Sequence, residues 1–581
     1  MNETPTVKGE GNKFRQKLDA LWSDKRSYKK RLLISIALAF AICFTFLFFG
    51  PIEITAGSEG SFVFTIFDIT LPLALTALAA FTILTFLIPV LRGRIFNYLV
   101  TMLFGLLLCG YIQGNFLNGS LGLLTGDAVS WHMQTSGMLL NTIIWILIIL
   151  AAFILLYFNK KIWRKAVLYV SLLLIVMQAV PLVTIYINAG SAEDSKEYYL
   201  STEYMETYSP EKNTIVFLLD RLDYDYMEQV LETDPDFFAP LDGFTSFTNA
   251  TSEYARTKPA ANFMFTGNEE LPFNVPASEA FTDSWTADGK NILKAIKDCG
   301  YDIDIYADIN SLFGDAAFAK EYVNNLKAEG VSTNAKKIIK DFVCLSAYRY
   351  SPTAMKPFFW TYTDAVNKGA VVRDDMYEID ETIYAQKTES FHLEAKNNQF
   401  KFYHFNGSHA PYILKEDGTK VKGDERTSVV EQTKGSFNIL YQALQKMKEQ
   451  GIYKDATIII TADHGDPVDD AKPVQKATRI GLFYKPSGSE GTPLQYSKAP
   501  VSLKNLPATF LKSVGADYSK YGRALDEVGE DEVITRHYYK TIRPPEGGRE
   551  KMLYVYDIKG DAGNFDNWEL KETRTIEYPM N

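Results

Sequence analysis

The sequence predicts an α-helical transmembrane bundle of five spans, followed by an extracellular α/β domain with a largely parallel central sheet and a small C-terminal subdomain. Three observations predict it: five long uncharged apolar runs near the amino terminus, a split of charge between the two parts of the chain, and short β-rich apolar runs alternating with helical patterns beyond residue 211. With 581 residues, 47% hydrophobic and 22% charged, the chain is too long and too apolar for one small binding module or a disordered tail. Residues 1–187 hold 15 Lys+Arg against 8 Asp+Glu (net +7), and residues 188–581 hold 45 against 62 (net −17). The two parts suit different solvents.

Residues 1–31 form a basic tail, and residues 32–187 hold the spans. The uncharged runs are Leu32 to Gly50, Ile69 to Leu91, Ile95 to Leu117, Met138 to Phe158 and Ala166 to Ile187. Each is long enough to cross a hydrocarbon layer about 30 Å thick as a helix rising about 1.5 Å per residue. Helices buried in a soluble protein are shorter and amphipathic rather than apolar all round. Asp68 precedes the second run and is placed at the interface. Pro72, Pro89 and Pro181 are tolerated where neighbouring helices satisfy the freed carbonyls.

Lys and Arg set the orientation. The tail from Lys8 to Arg31, the loop with Arg92 and Arg94, and the loop with Lys160, Lys161, Arg164 and Lys165 all fall on one side. The alternate loops, Pro51 to Phe64 and Asn118 to Gly137, contain no Lys or Arg. The expectation is a multi-pass plasma-membrane protein with a cytoplasmic amino terminus and everything after Ile187 outside. No small-x-small cleavage pattern follows Gly50, so the first run reads as an anchor rather than a signal peptide.

Residues 188–211, polar and tyrosine-rich, read as a juxtamembrane linker. The domain over 212–525 carries strand-like runs at Thr214 to Leu219, Tyr301 to Tyr306, Phe400 to Phe405, Thr457 to Ala462 and Ile480 to Tyr484, with helical stretches such as Gly435 to Lys448 between them. Near-continuous apolar strands separated by amphipathic helices indicate a sheet covered on both faces. Residues 526–581 read as a small, mostly β subdomain. Cys299 and Cys344 are the cysteines outside the spans, and a disulfide and two free thiols remain alternatives for them.

Ligands of such sheets sit beyond the carboxyl ends of the strands. Asp220 closes one strand, Asp463 and His464 close another, and His409 lies four residues beyond Phe405. A single Asp after a strand is often a helix cap, and Asp223 and Asp225 read as such helix-start charges. Two carboxylates and an imidazole, however, supply ligands suited to Zn²⁺ or Mn²⁺. A fourth ligand is expected from YARTKPAANFMFTG, where Thr257 precedes Pro259 and an apolar helical run. A hydroxyl there faces the positive end of a helix dipole, and a metal would make it a stronger nucleophile. Taken alone, Thr257 is also an ordinary N-cap.

In spacing, Thr257 to Gly267 matches the sulfatase signature C-x-P-S-R-x-x-x-x-T-G. With Asp220 upstream and Asp463-His464-Gly465 downstream, the chain resembles the alkaline phosphatase and sulfatase superfamily over roughly 213–524. A sulfatase needs a cysteine or serine where this chain has Thr257, and threonine cannot become formylglycine. A threonine nucleophile behind five spans resembles the membrane-bound phosphotransferases of this superfamily, the lipoteichoic acid synthases and phosphoethanolamine transferases. Their single-metal site carries over to Asp220, Thr257, Asp463 and His464, with Asp220 standing where the synthases have Glu. His409 in HFNGSHAPY matches their substrate-contacting histidine. The synthases have another substrate histidine after the strand matching Tyr301 to Tyr306, where this chain offers Asp308. Arg256 is a candidate phosphate contact, with a solvent-facing arginine as its plainer reading. His404 is a weaker substrate-contact candidate, more naturally read as a packed histidine.

The resemblance implies one divalent metal (Mn²⁺ or Zn²⁺, with Mg²⁺ as an alternative), a second metal being doubtful. It also implies transfer of a glycerol phosphate or ethanolamine phosphate headgroup from a membrane phospholipid to a cell-surface polymer or glycolipid, through phosphothreonine at Thr257. The alternatives are an anchored phosphodiesterase or phosphatase, a sulfatase-like hydrolase, and a catalytically inactive binding module. The acidic outer domain offers no broad basic surface for nucleic acid.

Overall fold

A computed structural model of the chain describes residues 27–578 apart from 59, 60, 63, 119–134, 191–196, 270, 272, 330–332, 362, 368, 371–374, 424, 467–471 and 543–551. Most of the basic tail, most of the loop expected over 118–137 and part of the linker expected over 188–211 lie outside the described residues. The chain forms two compact units, each discontinuous in sequence. One takes residues 1–197, 330–373 and 545–548, and the other takes 198–329, 374–544 and 549–581.

In the first unit the five candidate membrane helices are Tyr28–Ala56, Ile66–Val90, Gly93–Leu117, Gly137–Phe158 and Lys160–Asn188. All five begin before the uncharged runs, and the first and fifth also extend beyond them. Asp68 caps the second helix, accepting the backbone and hydroxyl hydrogens of Thr65, each at 2.7 Å. Residues 330–373, expected inside a continuous domain over 212–525, belong to this unit instead. The reason is burial: on the Ala335–Tyr350 helix, Ile338, Phe342 and Leu345 fall at helical spacing and form one apolar cluster with Ile52, Ile54, Ile69 and Leu73. The linker expected over 188–211 also ends earlier, because Leu200, Met205 and Tyr208 are buried in the core of the second unit.

The strands are β1 (Glu197–Leu200), β2 (Asn213–Leu219), β3 (Thr245–Phe247), β4 (Tyr301–Tyr306), β5 (Leu326–Glu329), β6 (Asn398–Phe405), β7 (Thr457–Thr461), β8 (Leu482–Lys485), β9 (Gln495–Ser497), β10 (Thr535–Ile542), β11 (Met552–Lys559) and β12 (Trp568–Thr575). Seven of them form the central sheet in the order β4-β6-β2-β7-β8-β3-β9. β4, β6, β2 and β7 are mutually parallel, and β8 pairs antiparallel with β7. Every residue of β2 and β7 is buried, as a parallel sheet covered on both faces requires. One cover is the Val429–Glu449 helix, which opens on a Ser428–Glu431 capping box and buries Phe437, Leu440, Leu444 and Met447 at a spacing of three and four. β10, β11 and β12 form a separate antiparallel sheet. All four cysteines are free thiols.

Candidate active site

The parallel strands place their carboxyl ends along one edge, and the candidate residues follow from those ends. Asp220 is the first residue past β2, and its N–H donates to the Phe405 carbonyl at the end of β6 at 3.1 Å. The loop leaving β6 passes so close that a Cβ on Gly407 would lie 2.6 Å from the Asp220 nitrogen, and Gly407 also takes a φ of +57°. Only glycine meets both demands. Arg221 adopts a φ of 58°, uncommon for a residue with a side chain, and this turn aims its N–H at Asp463 Oδ1, 2.9 Å away.

Asp463 and His464 follow β7. Asp463 is 0% exposed, His464 6% and Asp220 8%, and one ligand atom from each lies within 4.8 Å of the others. Thr257 opens the Thr257–Thr266 helix, which closes on left-handed Gly267 and has Pro259 in its first turn, where no N–H is needed. Its Oγ1 lies 3.5 Å from His464 Nε2.

The arrangement of donors shows what the cluster suits. His464 Nδ1 lies 2.6 Å from the Gly465 carbonyl, which requires the proton on Nδ1 and leaves a lone pair on Nε2. That Nε2 lies 3.4 Å from Asp463 Oδ2. Asp463 Oδ2 and Asp220 Oδ1 are buried without a hydrogen-bond partner. Buried acceptors facing one another without a donor are costly, and a divalent cation is the group that satisfies them together. The residues therefore fit a metal ion. Among the described residues this is the only such group of three.

His404, a candidate substrate contact in the sequence, is 0% exposed. Its Nε2 lies 3.3 Å from Asp220 Oδ2, so it positions a candidate ligand rather than meeting a substrate. Burial alone would raise the Asp220 carboxyl, but the His404 hydrogen bond and the charges of His409, His404 and His464 hold it below the ordinary value. Burial pulls the His404 imidazole down, yet its bond to Asp220 and the charges of Asp220, Asp463 and Asp308 bring it above the ordinary value.

His409 is half-buried, near enough for its charge to act on Asp220, and its Nδ1 meets the Ala410 carbonyl at 2.5 Å. Asp308 spends its carboxylate on a helix start, accepting Asn310 N–H at 3.1 Å and the Ser311 hydroxyl at 3.0 Å. Arg256, half-buried beside Thr257, lines a small cleft with Tyr254, Phe273 and Tyr539.

Several supporting residues escaped the sequence reading. Asp223 does cap the Tyr224–Thr233 helix through Asp225 N–H at 2.8 Å. It also accepts Asp466 N–H at 2.6 Å and the Thr478 hydroxyl at 2.9 Å, tying the β2 loop to the β7 loop. Arg221 pairs with Asp466, which also accepts the Tyr226 hydroxyl at 2.7 Å. A Cβ on Gly465 would strike Thr478 and Asp223. Gly465, next to His464, and Gly407, two residues before His409, were the available signal.

The sulfatase family model matches residues 212–516, more than half of the 581 residues. The chain belongs to the sulfatase family. Among solved structures, this sulfatase-family chain is similar to the phosphonate monoester hydrolase SpPMH from Silicibacter pomeroyi (16% identity, 61% of this chain and 91% of that one, TM-score 0.37). It is similar to an alkaline phosphatase superfamily protein from Vibrio parahaemolyticus (17% identity, 66% and 83%, TM-score 0.37). It is also similar to the lipoteichoic acid synthase LtaP from Listeria monocytogenes (11% identity, 66% and 91%, TM-score 0.32). No curated protein matches it.

Proposed function

We propose that this sulfatase-family enzyme is a metal-dependent phosphotransferase, moving a phospholipid headgroup phosphate, such as glycerol phosphate or ethanolamine phosphate, to a cell-surface acceptor. The observation that carries the proposal is the Thr257 hydroxyl 3.5 Å from His464 Nε2, in a cluster whose buried carboxylate oxygens lack partners, on a chain with five candidate membrane helices. Threonine supplies an alkoxide, whereas the formylglycine chemistry of sulfate ester hydrolysis needs a residue that oxidises to an aldehyde.

Asp220, Thr257, Asp463 and His464 would hold a divalent ion, Mn²⁺, Zn²⁺ or Mg²⁺, which when bound supplies positive charge to the phosphoryl oxygens and lowers the proton affinity of the threonine hydroxyl. Thr257 Oγ1 loses its proton to solvent and attacks phosphorus; the bond from phosphorus to the diacylglycerol oxygen breaks, and His409 protonates that oxygen. An acceptor hydroxyl then gives its proton to His409 and attacks the phosphothreonine, and Thr257 leaves and regains a proton. The start of the helix holds Thr257 at the positive end of the dipole throughout, and Arg256, the residue before Thr257, is assigned to the headgroup phosphate as its counter-charge. The Lys and Arg of the loops after the second and fourth helices support placing this chemistry outside the cell, where a lipid donor and a surface acceptor meet.

The test is to incubate the full chain with headgroup-labelled phospholipid and each metal, then weigh the peptide containing Thr257. A headgroup-phosphate adduct, absent from Thr257→Ala, is expected. Diacylglycerol release by Thr257→Ala equal to wild type would refute the reading. Release with water as the sole acceptor would make the enzyme a phosphodiesterase with the same nucleophile.

A further inference from the structure

The first unit holds a buried cationic cluster with no part in the chemistry above. Glu53 lies near the end of the first candidate span, Gln113 near the end of the third and Asn141 near the start of the fourth. Read as membrane spans, successive helices alternate in direction, so these positions share the end of the bundle opposite Arg92, Arg94, Lys160 and Lys161. The Ala335–Tyr350 helix and the 3₁₀ helix Thr353–Phe358 pack there. The Tyr350 ring occupies space that a Cβ on Gly50 or Gly114 would fill.

The side-chain amides here are matched. Gln113 Oε1 accepts Asn141 Nδ2 at 2.8 Å and Trp145 Nε1 at 2.9 Å, and Asn141 Oδ1 accepts Thr353 N–H at 2.9 Å. The Arg349 guanidinium is not. Arg349, 5% exposed, pairs through Nη2 with Glu53 at 2.8 Å, but its Nε and Nη1 are buried without an acceptor. Lys356, 1% exposed, donates to the carbonyls of Tyr348 at 2.5 Å and Arg349 at 3.2 Å. Among the described residues Glu53 is the only acid paired with either. Buried guanidinium donors without partners are expensive, and ionisable groups at membrane level mark functional sites.

We propose that Arg349 and Lys356 form a binding site for a phosphate ester anion, the headgroup phosphate of a membrane phospholipid or free phosphate. Phosphate oxygens accept several charged N–H donors at once, and guanidinium donors suit them. Phe358 is 80% exposed, Met355 47% and Val343 41%, so the element carrying the cations also offers apolar surface for acyl chains. Glu53, with a side chain 28% exposed, brings the cluster to the surface. Burial and the charge of Arg349 push the Lys356 ammonium down to about 7, a cost that a bound anion offsets. The site stands independently of which reaction the Thr257 cluster performs.

Native mass spectrometry of the full chain in detergent tests it, titrating phosphatidylglycerol against diacylglycerol of the same chains, with EDTA present to strip metal from the Thr257 cluster. Wild type should retain the phospholipid and not the diacylglycerol. Lys356→Met should weaken retention about tenfold, the loss of one charge-assisted contact, and Glu53→Gln should strengthen it by removing the competing carboxylate. Arg349→Gln would leave the Glu53 carboxylate without its cation, whereas Glu53→Gln keeps an amide oxygen for Arg349 Nη2, so Lys356→Met and Glu53→Gln, of opposite sign, carry the test. Displacement by millimolar inorganic phosphate would mark the anion alone as the ligand, and resistance to it would mark the lipid; both support the site. Equal retention of diacylglycerol, or unchanged phospholipid retention in Lys356→Met and Glu53→Gln, would overturn it.

Discussion

Asp463→Asn tests whether the buried carboxylates are held together for a cation. One oxygen each from Asp220 and Asp463 lies within 4.8 Å of the other, and the residues are 8% and 0% exposed. Two like charges at that separation repel by about 3.5 kcal/mol at an effective dielectric of about 20. His404, 3.3 Å from Asp220 Oδ2, offsets part of this, so relief of about 2 kcal/mol is expected on removing one charge. The amide keeps an oxygen for Arg221 N–H, 2.9 Å from Oδ1, and can turn its NH₂ toward His464 Nε2, 3.4 Å from Oδ2. In EDTA the variant should therefore melt a few degrees above wild type, at about 2 °C per kcal/mol for a large domain. Added Mn²⁺ or Zn²⁺ should reverse the order, because only a protein that binds the ion gains from its concentration. Scanning fluorimetry of the full chain in detergent, with and without metal, reads both shifts. A chelated variant melting well below wild type, or an equal gain from metal in both proteins, would refute the reasoning.

His404→Phe preserves bulk but removes the donor to Asp220 Oδ2; metal affinity measured by calorimetry should fall about ten- to a hundredfold. Gly407→Ala places a methyl 2.6 Å from the Asp220 nitrogen at a φ of +57°, a strain of about 1–3 kcal/mol. Turnover should drop more than tenfold with the secondary structure intact by circular dichroism, and full turnover would contradict the close approach. Burial pushes the Glu253 carboxyl from 4.5 up to about 8, so between those values the folded protein holds a proton that the unfolded chain has lost. Stability should accordingly fall as pH rises from about 5 to 8. Glu253→Gln should flatten that slope and be the more stable protein at pH 8, as denaturant titration would show.

Much of the candidate site was legible because its residues sit next to features with strong local signals. Asp220 and Asp463 end continuous apolar runs, and Thr257 stands two residues before a proline and an apolar helix. Parallel strands bring such positions to one edge whatever their separation in sequence. His404 was harder to place, because β6 is buried along nearly its whole length and alternation along the strand does not say which neighbour the side chain meets. Arg221 gave no sign of a positive φ, since that strain is imposed by the Asp463 carboxylate its N–H reaches.

By itself the sequence determined the five candidate membrane helices, the α/β class and the residue types at the strand ends. Each rests on local chemistry: long uncharged runs must satisfy their own backbone, and continuous apolar runs must be buried on both sides. Only the tertiary structure decided that residues 330–373 leave the sulfatase fold for the membrane helices, that His404 backs Asp220, and that Arg349 and Lys356 share one buried place. Those outcomes depend on which distant surfaces meet. An amphipathic helix such as Ala335–Tyr350 shows in its sequence that one face must be covered, but not by what.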